Sequence, residues 1–295
     1  MKRNVAFLTI AFGFAYGVWT GAYLLYKIFH VLSLTGFLLS TVIPMAGPAL
    51  GVLAVKLAGR REASRIAELR GGRRSQLVST AWYSLLGLAA VGLALLLSAI
   101  GGGALLTYWY GKPVDWSPFP SFLVAWAVCL PLWIPLVFLE EVGWRYYLFN
   151  AWKERGFLFA GPILGLIWAV WHLPTFFFYG SFWFNLACYL LFVPAIHFLA
   201  AWAYLKGGSL LVPMLIHATY NAFATATGVS RFMYSGQQPY QMSIPDMITK
   251  MSSNALFFLG LLPFAFLLAR ELRRRDPQRR MALGTHTISV ANDTP

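Results

Sequence analysis

Apolar residues in this chain run in blocks too long for an ordinary soluble helix. A helix that crosses bilayer hydrocarbon needs about 20 mostly apolar residues. Blocks of that kind recur at 5–28, 33–57, 77–109, 120–143, 157–179, 183–205, 209–228 and 250–270, with polar residues collected between them. The pattern predicts an all-α, polytopic transmembrane helix bundle of about eight spans. The third block is longer than one crossing needs and carries Gly101, Gly102 and Gly103 near its end, where a break or tilt is expected. The first block follows Lys2 and Arg3, but it is too long for a signal-peptide core and lacks a small-x-small cleavage site, so it is expected to be retained. Residues 276–295 have no periodic apolar face and read as a disordered cytoplasmic tail, leaving 1–275 as the transmembrane domain. No internal repeat is visible.

Charge sets the orientation. Between the second and third blocks, Arg60, Arg61, Arg65, Arg70, Arg73 and Arg74 face only Glu62 and Glu68, which marks that connection as cytoplasmic. Alternate crossings then put Lys2 and Arg3, the 145–155 stretch, Lys206 and the 270–280 segment on the same side, with both termini cytoplasmic. The opposite connections keep only Lys27, Lys112 and Arg231. The expected setting is a bacterial-type cell membrane. Composition agrees: 59% hydrophobic and 11% charged residues exclude a soluble domain. The net charge of +13 is accounted for by topology and by attraction to anionic membrane lipids, so no nucleic-acid partner is expected. Cys129 and Cys188 lie inside apolar blocks and build neither a disulfide framework nor a cysteine zinc site.

Ionisable groups at membrane depth are costly and mark candidate sites. Span four ends in Glu140, Glu141 and Arg145, after a stretch containing Pro131 and Pro135, two residues that tend to kink a helix and open space. Glu141 and Arg145 are four apart and share a helical face, which leaves Glu140 free to point elsewhere into the bundle. Span five supplies Trp168 and His172, and span seven supplies His217 and Asn221 on one face. Taken singly, the histidines and the asparagine also fit core packing or helix-to-helix hydrogen bonding. His197 in span six has no polar neighbour at helical spacing and is a weaker candidate for the same cavity. His30 sits at an interface, and His286 in the tail is given no role.

As a set, Glu140, His172, His217 and Asn221 suit hydrolysis of a peptide bond by water. A carboxylate, helped by a histidine, takes the proton from water, while a second histidine and an amide donate to the oxyanion. Alternatively Glu140, His172 and His217 are candidate zinc ligands, with water in the open position. Counted along straight helices from the inner ends of the spans, Glu140 lies ~5 Å deep, His217 ~12 Å and His172 ~22 Å. They meet only if span five starts late, for example at Pro162, or if the helices tilt.

Glu140-Glu141-x-x-x-Arg145, then Trp168-x-x-x-His172, then His217-x-x-x-Asn221 resemble the motifs of the CPBP intramembrane protease family, which includes CAAX prenyl proteases and bacterial lysostaphin-resistance and bacteriocin-processing or immunity proteins. The resemblance covers 140–221, and Trp168 stands where the family pattern has phenylalanine. It implies a helical membrane bundle with a cavity open toward the cytoplasm, with Glu140 and His172 activating water, His217 and Asn221 stabilising the oxyanion, and Glu141 and Arg145 in support. Zinc is the cofactor the family name suggests, and a metal-free glutamate mechanism stands beside it. The expected partner is a peptide or protein substrate at the membrane. A proton-coupled transporter and a catalytically idle peptide-binding scaffold or immunity protein are the alternatives.

Overall fold

The computed structural model describes residues 2–29, 42–58, 73–111, 113, 117, 119–176, 182–235 and 243–275. His30, most of the arginine-rich connection, His286 and the tail lie outside the described residues. The helices are α1 (Lys2–Phe29), α2 (Ala46–Ala58), α3 (Arg73–Tyr110), α4 (Phe119–Glu141), α5 (Leu164–Trp171), α6 (Phe182–Gly207), α7 (Leu211–Ser235), α8 (Ile244–Leu261) and α9 (Pro263–Arg275). No strand occurs among the described residues. The helical membrane bundle expected from the apolar blocks is what forms. Lys2–Leu25, Ser75–Tyr110, Phe119–Arg155, Phe182–Gly207 and Ile244–Arg275 are long and apolar enough to cross a membrane, and Ala46–Ala58 and Phe159–Thr175 are shorter apolar segments. Helix α7 is not among them, being diluted by His217, Thr219, Asn221, Thr225 and Thr227.

Two expectations about helix shape are corrected. Of the break or tilt expected at Gly101, Gly102 and Gly103, the break does not occur: helix α3 runs unbroken through them. The first two of these glycines serve close packing instead. A Cβ on Gly102 would lie 2.5 Å from Ser253 Oγ, and one on Gly101 would strike Leu256, so both let α8 approach α3 closely. Ser98 completes the seam by donating to the Ser253 carbonyl at 2.9 Å. Span four, in turn, does not end near residue 143. Its backbone continues as a π-helix over Val142–Phe149, an α-turn Asn150–Trp152 and a 3₁₀ turn Lys153–Arg155. Helix α4 also runs on through Pro131 and Pro135.

Side-chain ties define one end of the bundle. Tyr147 donates to Asn4 Oδ1 at 3.1 Å, Asn150 to the Tyr204 hydroxyl at 2.9 Å and Gln76 to the Gly208 carbonyl at 3.1 Å. Lys206 and Arg275 both reach Glu271, at 3.6 and 2.8 Å. The start of α1, the α4–α5 turn, the end of α6, the start of α3 and the end of α9 therefore share this end, which holds the basic residues. At the other end, Tyr110 meets Ser243 and Asp246 at 2.9 and 3.0 Å, and Lys250 lies 3.4 Å from Asn185 Oδ1. The core runs along α6, where Phe192 to Leu205 is buried without interruption.

Candidate active site

The continuation of span four removes the depth mismatch between Glu140 and His172. With the helical backbone carried to Arg155, Glu140 lies ~22 Å from that turn at ~1.5 Å per residue, about the depth that the same count gives His172. A late start of span five is not needed, and Pro162 sits inside a π-turn, Phe159–Ile163, ahead of α5. The π-helical stretch begins where Gly143 packs on Pro48 of α2. A Cβ there would lie 3.0 Å from the Pro48 Cα. π-segments inside helices recur at functional sites.

Both glutamates are buried, Glu140 at 2% and Glu141 at 0% exposure. Arg145, also fully buried, donates from Nη1 to Glu141 Oε1 at 2.9 Å, so the expected pair forms. The same oxygen lies 2.9 Å from His217 Nδ1. A carboxylate oxygen accepts, so Nδ1 carries the proton. His217 Nε2 then faces the Asn221 amide nitrogen at 3.2 Å. Glu141 thus holds both Arg145 and His217, a link that sequence spacing alone does not give, because residues 141 and 217 lie on different helices.

Trp168 is the hub of the site. Its indole N–H donates to Glu140 Oε2 at 2.9 Å. Its ring carries the Arg145 guanidinium over one face at 4.1 Å and meets the His217 ring edge-on at 5.0 Å. Its backbone carbonyl lies 2.9 Å from His172 Nδ1. Since a carbonyl only accepts, His172 is protonated at Nδ1 and keeps the Nε2 lone pair. His172 closes α5, and Thr175 caps its carbonyl at 2.7 Å. Phenylalanine at 168 would keep the ring contacts and the carbonyl but could not hold Glu140.

Glu140, Trp168, His172, His217 and Asn221 line one cavity of about 550 Å³. Its walls are largely aromatic, including Trp19, Trp133, Trp171 and Tyr189. Asn185, Cys188, Lys250 and Asn254 also line it and were not legible as site residues. Their signal in the sequence is faint, because polar residues near the ends of spans are ordinary. His197 is not in this cavity: it is fully buried, with Nε2 2.8 Å from the Ala160 carbonyl, and serves packing.

Among the described residues no group of three His, Cys, Asp or Glu side chains is gathered as a metal would need. His217, a required member of the candidate set, has both ring nitrogens engaged by Glu141 and Asn221.

Residues 120–223, which span α4 to α7 and hold Glu140, Glu141, Arg145, Trp168, His172, His217 and Asn221, match the family described as Rce1-like, type II CAAX prenyl endopeptidase. It is also similar to CAAX prenyl protease 2 of Methanococcus maripaludis, with 29% identity over 144 residues, 45% of this chain. That relative is covered over 51% of its own length, so the chain spans about half of it. No solved structure matches the chain.

Proposed function

We propose that this chain is an intramembrane endopeptidase that hydrolyses peptide bonds with a water activated by its own side chains. The observation that carries the reading is that Glu140, His172, His217 and Asn221, from three helices, line a single cavity. Water between Glu140 and His172 gives its proton to the carboxylate or to the free Nε2 lone pair of the imidazole, and its oxygen attacks the carbonyl carbon; the tetrahedral intermediate then collapses with cleavage of the C–N bond, the leaving nitrogen taking up the proton that the base holds. The Asn221 amide supplies an N–H to the developing oxyanion, and His217 Nε2 orients that amide by accepting its other N–H. Glu141 and Arg145 hold His217 in place, and Trp168 orients Glu140.

Cleavage of a peptide library by the purified full chain tests the proposal. Glu140→Ala and His172→Ala should each lower turnover by about 10²- to 10⁴-fold, the usual worth of a general acid–base group. Equal activity in all three proteins overturns it. Peptide binding without turnover in the wild type would instead identify a scaffold, and Glu140-dependent uptake into proteoliposomes a carrier.

A further inference from the structure

The cavity has a direction. Asn185 is the fourth residue of α6 and lies ~33 Å along it from Gly207, at ~1.5 Å per residue. Thr225 is ~21 Å along α7 from Leu211 by the same rise. Lys250 comes from the first half of α8 and Asn254 from one turn further on, and both precede α9, which runs on to the basic end; Thr175 follows the end of α5. Every one of these lining residues lies toward the end of the bundle where α3 meets α8, away from the basic end. Lys250 and Ala224, also on the lining, are exposed. On the basic side of Glu140, by contrast, the chain is packed shut: Trp144, Arg145, Leu148 and Phe149 are fully buried, with Ala160 and His197 beneath them.

Lys2, Arg3, Lys56, Lys153, Arg155 and Lys206 gather at the closed end, with Arg270, Arg273, Arg274 and Arg275 of α9. Such an excess of Lys and Arg beside spans marks the cytoplasmic face. We infer that peptide enters toward Glu140 and His172 from the extracytoplasmic face of the membrane, so that the substrates are exported or membrane-inserted peptides presented from outside, not cytoplasmic ones. This is the reverse of the access that the sequence resemblance implies. The inference rests on the hydrolytic reading for the fate of what enters, and on the charge distribution and the cavity alone for the side of entry. Lys250, beside Asn185, and Asn254 give that entrance a polar rim.

Accessibility labelling tests it in the full chain. In a background with Cys129 and Cys188 replaced by alanine, Ala224→Cys, Lys250→Cys and Glu154→Cys are made singly and treated with a membrane-impermeant maleimide. In intact spheroplasts, Ala224→Cys and Lys250→Cys should label to nearly the extent seen in detergent, and Glu154→Cys should label only after permeabilisation. If Ala224→Cys fails to accumulate, Lys250→Cys carries the reading. Labelling of Glu154→Cys in intact spheroplasts, or protection of both cavity cysteines there, overturns the inference. A membrane-impermeant peptide added to spheroplasts bearing the wild type should be cut. If it is not cut while the labelling pattern holds, the hydrolytic reading fails and the side of entry stands.

Discussion

Trp168→Phe isolates a single hydrogen bond. It removes the N–H that holds Glu140 Oε2 while leaving an aromatic ring between Arg145 and His217. A hydrogen bond to a charged group is worth about 1.5–3 kcal/mol, so turnover should fall by roughly 10- to 100-fold with KM little changed, measured on the same peptide. Thermal stability should hardly move. Glu141→Gln behaves in the opposite way. It leaves Arg145 buried without a full carboxylate partner, which costs about 3–5 kcal/mol for a broken buried pair, and the melting temperature in detergent should drop sharply. Glu141→Leu combined with Arg145→Met should recover much of that stability without recovering turnover, because His217 stays unheld.

Among the elements, the π-helical stretch between α4 and the α4–α5 turn depends on Gly143. A methyl there meets Pro48 of α2 on its Cα and carbonyl carbon, and overpacking of this kind costs about 1–3 kcal/mol. Gly143→Ala should therefore lower the melting temperature and, by shifting Glu140 and Glu141, reduce cleavage as well. The same region shows where the sequence was and was not legible. Long apolar runs announced the helices, because lipid forces backbone groups to bond within each span. The end of span four was misplaced because Glu140, Glu141 and Arg145 look like a water boundary, whereas paired with one another and with His217 they are interior. The site residues stood out as rare polar positions in apolar helices. Asn185 and Lys250 did not, since at the ends of α6 and α8 such residues need no explanation, and the orientation of the cavity comes only from seeing which helix halves line it.

For the whole molecule, the metal question becomes a measurement. With His217 committed to Glu141 and Asn221, protein purified without chelators should carry zinc well below one per chain, and cleavage should persist in a chelator. Activity abolished by chelation and restored by zinc would replace the water-only scheme with a metal-assisted one. Helix α6 bears on how the molecule is made. Two-thirds of its most apolar window, 67%, is screened inside the bundle, and α8 and α9 both pack against it. Synthesis delivers the central post before its last stave. Until residues 244–275 emerge, the side of α6 that α8 and α9 cover has only lipid or a chaperone for company, so completion of the C-terminal span is the event that commits the nascent chain to its final shape.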